Sequence, residues 1–223
     1  AQHRPSWYAY AAAEAIAPYA QIDQEKPRGL QGGFAGAYLL NRVLWGGGTR
    51  YQLDGRTLRF SAKNAAAAKV PANVREEAHP LLWDLEPDAY VRVLAAARLP
   101  LVHEWALRAI ERAHPEVIAR ASHASIVGML SAPHAPTVAL ALAEIERRFD
   151  AAKPDLELLR HLLADARADV REVGIRLLAA SSAAWTADAA AILSLLEATD
   201  ASARAAVATS AIAAVATMSE ATK

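Results

Sequence analysis

The sequence contains no cysteine. This absence excludes disulfides, cysteine-ligated zinc, iron–sulfur clusters and thiol nucleophiles, and it fits a reducing compartment such as the cytoplasm. The first ten residues lack the basic, apolar and small-residue order of a signal peptide, and the first residue is not methionine. We therefore expect a cytoplasmic fragment, or a processed product, of a longer multidomain protein.

The sequence also lacks an excess of either charge, since 24 lysines and arginines balance 24 aspartates and glutamates. Without a net charge there is no overall field to attract a phosphate backbone or an anionic membrane. No stretch approaches the run of about 18 apolar residues that suggests a membrane span. A membrane partner is therefore not expected, and nucleic acid is not the favoured partner.

Hydrophobic residues are plentiful, at 54% of the chain, and many of them are alanine. Alanine has the highest helix propensity and the smallest apolar side chain, so it favours helices that pack at close range. The chain is also long enough to bury a sizeable core without disulfides or metals. The composition therefore predicts an all-α fold.

The N-terminal part, predicted as a domain over residues 1–71, combines two helices with a hairpin and a linker. Helices are predicted at 6–20 and 34–45 from their apolar periodicity. Near residues 51–60 apolar and polar residues alternate on either side of Asp54-Gly55. This pattern predicts a small β-hairpin with a tight turn, because such a turn needs a positive φ.

Residues 72–223 are predicted to form helical repeats. Small residues recur at Ala106, Ala141, Gly174 and Ala208, which lie 35, 33 and 34 residues apart in similar segments. Before each of these segments another helix is predicted, at 87–97, 115–130, 154–164 and 185–198. Each unit is therefore predicted to be an antiparallel helix pair, and the pairs are predicted to stack.

The small residue at the repeated position has a physical role, because two helices approach closely only where a side chain is small. Gly174→Leu is therefore expected to destabilise the protein by about 1–3 kcal/mol through overpacking. Gly174→Ala is expected to be mild or stabilising, since alanine stands at this position in the other units. An imperfect first unit is predicted at 73–82, where Pro80 would kink or shorten the helix.

The start of one unit, Asp169-Val170-Arg171, followed by Gly174, Leu177 and Leu178, resembles the second helix of HEAT repeats. The resemblance covers roughly residues 72–217 and implies a right-handed α-solenoid of antiparallel HEAT-like helix pairs, with the hairpin as an insertion. It implies a binding scaffold, since HEAT arrays mostly bind other macromolecules. HEAT-like DNA glycosylases, which use a basic concave groove with aromatic and acidic residues, supply the alternative of nucleic-acid binding.

A fainter similarity concerns residues 39–46, 50–51, 75–78 and 82–84. These stretches look like the helical region that accompanies WGR domains in bacterial MolR-like proteins. The chain itself contains no WGR motif. The similarity implies that a nucleic-acid-binding or regulatory module lies outside this fragment.

Seven histidines invite a search for metal ligands. His103-Glu104 lacks the second histidine of a zinc-binding helix, because position 107 is a leucine. The run 46–49, Gly-Gly-Gly-Thr, is followed by a hairpin rather than by a lysine and a helix, so it is not a phosphate-binding loop. No catalytic residue, metal site or cofactor is therefore predicted, and the protein is not expected to be an enzyme.

The remaining aromatic and imidazole groups are interpreted mainly as structural. Three of the four tryptophans Trp45, Trp83, Trp105 and Trp185 are expected to be buried. Three histidines beside prolines at helix ends are expected to meet terminal carbonyl groups; they are His79, His114 and His134.

One locally basic run lies around the hairpin. It comprises Arg42, Arg50, Arg56, Arg59 and Lys63. Most such runs are solvated faces, so these residues are candidate contacts to nucleic acid or to another partner. The sequence thus predicts a non-enzymatic scaffold that binds a protein, with nucleic-acid binding as the alternative.

Overall fold

The computed structural model describes residues 7–67, 74–197 and 200–221, with side chains up to residue 216. These residues contain thirteen α-helices, a short 3-10 helix and one two-stranded antiparallel sheet. The prediction of an all-α fold with a small β-hairpin is therefore confirmed. No described helix combines the length and the apolar character needed to cross a membrane.

The chain divides into two compact units, Ala1–Ala141 and Leu142–Lys223. The domain boundary predicted between residues 71 and 72 falls within 68–73, outside the described residues. That boundary therefore stays a prediction.

The first unit opens with α1 (Trp7–Ile16), the 3-10 helix (Gln21–Asp23) and α2 (Tyr38–Trp45). α1 ends before the predicted residue 20, because Pro18 disfavours a helical conformation of the residue before it. α2 begins later than the predicted residue 34, because the preceding segment is rich in glycine, which has a low helix propensity. The two helices exist where the sequence predicted them, with shorter bounds.

The predicted hairpin is formed by β1 (Tyr51–Asp54) and β2 (Arg59–Ala62). Its turn is not the predicted tight turn, because four residues connect the strands and the positive φ of 54° lies at Leu58 rather than at Gly55. The Asp54 carboxylate accepts hydrogen bonds from N–H and O–H groups inside this loop. Such local capping favours the longer connection.

Six further helices begin within the first unit. They are α3 (Pro80–Leu85), α4 (Asp88–Ala96), α5 (Pro100–Ala113), α6 (Val117–Arg120), α7 (His123–Met129) and α8 (Ala135–Arg148). α4 packs against α1, α5 and α7, and it corresponds to the helix predicted at 87–97. The prediction of one helix over 115–130 is wrong, because Ser122 is extended and caps α7 by accepting a hydrogen bond from the Ser125 N–H.

The imperfect first unit predicted at 73–82 also differs from the structure. Residues 74–79 are not helical, and α3 begins at Pro80. Proline lacks an N–H group and fits the first turn of a helix, so Pro80 starts the helix instead of kinking one. Asn73 lies outside the described residues.

Helices α9 to α13 lie in the second unit. Their bounds are α9 (Leu156–Leu163), α10 (Ala168–Ala180), α11 (Ser182–Trp185), α12 (Ala189–Leu196) and α13 (Ala201–Ala221). α9 packs against α10, and α13 packs against α10 and α12. The helix predicted at 185–198 begins later, because Asp188 caps α12 by accepting a hydrogen bond from the Ala190 N–H.

The repeated small positions are mostly buried. Ala106, Ala141 and Gly174 are buried, whereas Ala208 is half-buried. A Cβ atom added to Gly174 would lie 2.9 Å from the Cβ of Leu162 and 3.3 Å from its carbonyl carbon. The expectation that Gly174→Ala is mild is therefore wrong, because α9 and α10 already touch at this point.

The core of the first unit contains a cluster of three aromatic side chains. Tyr90 stacks on Trp83 with ring centroids 4.9 Å apart, and Trp105 meets Trp83 edge-on at the same distance. These contacts join α3, α4 and α5. All four tryptophans considered in the sequence are buried, one more than predicted.

Candidate functional site

Arg50, one of the five candidate contact residues, is held inside the first unit. Its Nε and Nη2 groups donate to the Glu76 carboxylate at 2.7 and 2.5 Å, and Nη1 donates to the Ala67 carbonyl at 2.7 Å. Its guanidinium lies 5.3 Å from the Trp45 ring centroid and 5.0 Å from that of Tyr51. The hydrogen bonds to Glu76 raise the pKa of Arg50. Arg50 therefore connects the hairpin to the segment before α3.

Arg59 is also engaged within the protein. Its guanidinium forms an ion pair with Glu25 and donates to the Gln31 side chain at 3.2 Å. The hydrogen bond from Arg59 lowers the pKa of the Glu25 carboxyl. This pair connects β2 to the loop between the 3-10 helix and α2.

The other three basic candidates are exposed on separate segments. Arg42 lies on α2, Arg56 lies in the hairpin loop, and Lys63 follows β2. The run that is continuous in sequence therefore divides into two internal ion pairs and three exposed cations. The structure does not gather the five residues into one basic groove.

A half-buried polar network lies beside the aromatic cluster, and sequence analysis did not identify it. Arg75 donates to Glu77 and to Asp84, both at 2.6 Å, and its third contact is the Pro80 carbonyl at 3.1 Å. The other oxygen of Asp84 lies 2.9 Å from the Nε2 atom of His114. The network ties the segment 74–79 to α3 and to the end of α5.

The electrostatics of this network favour its ion pairs. Burial alone would raise the pKa of Asp84, but hydrogen bonds from Arg75 and His114 outweigh it and hold that pKa below its usual value. Burial, reinforced by the charge of Glu77, raises the pKa of the Tyr90 hydroxyl. An Asp–His pair orients an imidazole in hydrolases, where the imidazole contacts a nucleophile. No hydroxyl of a described residue bonds to His114, so the network carries no such set.

A second polar chain runs through the core of the first unit. His103, fully buried, bonds through Nε2 to the Ala97 carbonyl at 3.0 Å and through Nδ1 to the Thr137 hydroxyl at 3.1 Å. The same hydroxyl lies 3.1 Å from Nδ1 of His134. Burial lowers the pKa of His103 despite the bond to Ala97. These contacts satisfy a neutral histidine in the core.

The histidines at helix ends do not meet terminal carbonyls as expected. His114 contacts the Asp84 carboxylate, His134 contacts the Thr137 hydroxyl, and His79 contacts the Tyr8 ring edge-on at 5.0 Å. Among the described residues, no group of three or more histidine and acidic side chains is placed to hold a metal ion.

The open grooves on the described surface are shallow and contain no linked catalytic groups. The groove lined by Tyr19, Asp23 and Glu25 measures about 550 Å³. A smaller groove of about 210 Å³ contains His161 and Ser194, which no hydrogen bond joins. Neither groove pairs a nucleophile with a base.

Large apolar side chains are exposed mainly in the first 85 residues. Thirteen such side chains are exposed in the described residues; ten of them lie within 7–85, and none lies within 86–192. The ten are Trp7, Ile22, Leu30, Tyr38, Leu39, Leu53, Leu58, Val74, Leu81 and Leu85. This uneven distribution is the main candidate for a functional surface.

The most exposed members on helices lie on α1 and α3, which pack against each other. Trp7, Leu81 and Leu85 are 65%, 75% and 61% exposed, respectively. Leu81 and Leu85 lie on one face of α3, because residues four apart are neighbours on a helix. We call these three side chains the α1–α3 apolar residues.

Sequence patterns could not have identified the α1–α3 apolar residues. Leu81, Leu82 and Trp83 form a continuous apolar run, which by itself suggests burial. The structure buries Trp83 and exposes Leu81 because the short helix has a single buried face. Comparisons with models of protein families, with curated proteins and with solved structures find no match. The function is therefore argued from this surface alone.

Proposed function

We propose that the protein is a non-enzymatic scaffold that binds another protein, and that the elements within residues 7–85 carry the contact surface. The observation that supports this proposal is the concentration of exposed large apolar side chains in that region. Apolar side chains grouped on a surface mark interaction sites, whereas isolated ones are normal. Trp7 is of the residue type that most often anchors an interface.

The proposal includes the helical architecture that the sequence resemblance implies. Antiparallel helix pairs of HEAT type, stacked as a right-handed solenoid, would hold such a surface on a rigid support. The burial of Ala106, Ala141 and Gly174 supports the proposed equivalence of the pairs. Ala208 supports it less well, since it is only half-buried.

Nucleic-acid binding is the alternative, and the exposed side chains of Arg42, Arg56 and Lys63 are the observation in its favour. The ion pairs of Arg50 with Glu76 and of Arg59 with Glu25 count against it, because these cations are already neutralised. Phosphate contacts need free cations, and each such contact makes binding weaker as salt is added.

The test of the scaffold proposal is a capture experiment from a nuclease-treated lysate of the source cells. The immobilised chain should retain a protein partner, and the double variant Leu81→Glu, Leu85→Glu should lose it. The matched control is Leu193→Glu with Ile212→Glu, which alters two exposed apolar side chains of the second unit and should retain the partner. Equal retention by both double variants, or no retained protein at all, would contradict the proposal.

A titration with duplex DNA at low salt tests the alternative. The scaffold proposal predicts no binding beyond weak, nonspecific association. Tight binding that weakens steeply with added salt, and that is lost in Arg42→Ala with Arg56→Ala, would favour the nucleic-acid function instead.

A further inference from the structure

The register of the hairpin determines which backbone groups of β1 face away from β2. Phe60 and Ala62 donate their N–H groups outward, to the carbonyls of Ala35 and Leu30, both at 2.9 Å. In an antiparallel pair, residues alternate between bonding the partner strand and pointing away from it. Ser61 and Arg59 therefore bond β1.

The same alternation assigns the groups of β1. Gln52 and Asp54 are the register partners of Ser61 and Arg59, so their backbone groups face β2. Tyr51 and Leu53 consequently direct their N–H and C=O groups to the outer edge. In the described part of the chain no backbone group bonds to either residue at that edge.

The two edges of the sheet are therefore unlike. The edge of β2 is covered by the loop that contains Leu30 and Ala35, whereas the edge of β1 is open. An open strand edge is a template for pairing with another strand, and proteins usually block it with proline, a bulge or a covering segment. No proline lies within β1.

The side chains at the open edge are also incompletely covered. Leu53 and Tyr51 lie on the same face of the sheet as their partners Phe60 and Ala62. Phe60 and Ala62 are 5% and 1% exposed, whereas Leu53 is 37% exposed. An added strand would therefore cover apolar surface as well as satisfy backbone groups.

The hairpin loop holds the edge in a fixed conformation. The Asp54 carboxylate accepts a hydrogen bond of 2.9 Å from the Arg56 N–H and one of 2.6 Å from the Thr57 hydroxyl. At the end of the loop Leu58 has a left-handed backbone with a φ of 54°, although its side chain is 53% exposed. A preorganised edge loses little conformational entropy when a strand is added.

The charges around the edge determine the chemistry of the partner. Arg56 and Lys63 lie at the two ends of the hairpin, and both are exposed. No described acidic group pairs with either side chain, whereas Glu25 and Glu76 are used by Arg59 and Arg50. The unbalanced charge at both ends is therefore positive.

We infer that the outer edge of β1 binds an extended acidic peptide segment of a partner protein by strand addition. This inference rests on the proposed function and specifies one of its contact sites. The backbone groups of Tyr51 and Leu53 would supply the main-chain bonds, and Arg56 and Lys63 would attract acidic side chains. Four residues of strand extend about 13 Å, which matches a peptide segment of four to six residues.

The test uses the peptide Glu-Val-Glu-Val-Glu-Val-Glu at millimolar concentrations and measures amide hydrogen exchange of the full chain by NMR. Exchange at Tyr51 and Leu53 should slow about tenfold at saturation, since both amides gain a hydrogen bond. The amides of Gln52 and Asp54, which already bond β2, should change much less. The same peptide with lysine in place of glutamate should not produce this protection.

Two controls separate strand addition from nonspecific attraction. A peptide N-methylated at its central valine keeps its charge but loses a main-chain donor, and it should fail to protect Tyr51 and Leu53. Leu53→Pro removes one outward N–H without removing a bond to β2, and it should also abolish the protection. The peptide control leaves the protein unchanged, so its result does not depend on the folding of the variant.

Several results would overturn the inference. One is the absence of protection at Tyr51 and Leu53, and another is equal protection by the lysine peptide. Protection that grows with protein concentration without peptide would identify a second copy of the chain as the occupant and reject the acidic segment. If protection fails while partner capture still depends on Leu81 and Leu85, the edge site is rejected and the scaffold function stands.

Discussion

Gly174 has no side chain, and the space beside it is already occupied by Leu162. We expect Gly174→Ala to lower the stability. Overpacking costs about 1–3 kcal/mol and the gain in helix propensity returns only about 1 kcal/mol. Thermal melts should show a lower midpoint for Gly174→Ala and a still lower one for Gly174→Leu. The control Gly32→Ala adds a methyl group with no atom within 4 Å and should leave the midpoint nearly unchanged. A raised midpoint for Gly174→Ala would contradict the close contact.

Leu58 adopts a left-handed backbone that glycine and asparagine adopt more readily. Leu58→Asn should therefore raise the stability by up to about 1 kcal/mol, because half of the lost side chain is already exposed. The matched control is Leu39→Asn, which changes an equally exposed leucine inside α2 and should lower the stability. Urea unfolding measures both changes. Equal losses in the two variants would show that Leu58 carries no backbone strain.

Glu144 is a buried carboxylate on α8 whose ion pairs make stability depend on pH. Hydrogen bonds from Arg147 and Arg148 lower its pKa from 4.5 to about 2. Because the folded pKa lies below the unfolded one, the contribution is complete above about pH 4.5 and is lost as the pH falls towards about 2. Stability should therefore fall more steeply across this range in the natural chain than in Glu144→Gln. Parallel pH profiles from urea unfolding would refute this assignment.

At the scale of single elements, the attachment of the hairpin depends on the buried pair of Arg50 and Glu76. Their side chains are 11% and 5% exposed. Glu76→Ala leaves the Arg50 charge without its carboxylate, and breaking a buried pair in this way costs about 3–5 kcal/mol. The control Glu14→Ala breaks the exposed pair with Arg92 and should cost less than about 1 kcal/mol. Urea unfolding should separate the two variants clearly, and similar losses would contradict the structural role of Arg50.

Elements that depend on local signals were predictable from the sequence. Apolar periodicity located α4, α9 and α10, and alternation around Asp54-Gly55 located the hairpin. The interruption of the helix predicted at 115–130 was not found, because Ser122 acts as a cap only once the flanking segments are packed. The ion pair of Arg50 and Glu76 was also missed, since it joins residues 26 apart in the chain.

At the scale of the whole molecule, the function proposed here depends on which apolar side chains remain exposed. Sequence analysis weighed tryptophans as possible anchors and considered Trp45, Trp83, Trp105 and Trp185, all of which are buried. The exposed Trp7 was assigned instead to the apolar stripe of its helix. Exposure is decided by tertiary contacts between distant segments, so no local pattern distinguishes Trp7 from the buried tryptophans.

The basic residues illustrate the same limit at this scale. The run from Arg42 to Lys63 is continuous in the sequence and suggested a shared surface. Folding places Glu25 and Glu76 against two of its members and leaves three exposed on separate segments. Charge that is clustered along the chain is therefore not clustered in the same way on the protein.

The most direct test of the scaffold function is site-specific photo-crosslinking in nuclease-treated lysate of the source cells. A benzophenone amino acid is placed at Leu81 in one variant and at the equally exposed Leu193 in the other. The account predicts a discrete protein adduct from position 81 that is absent from position 193. Adducts of equal yield at both positions, or no protein adduct at position 81, would contradict the claim that the first 85 residues carry the partner-binding surface.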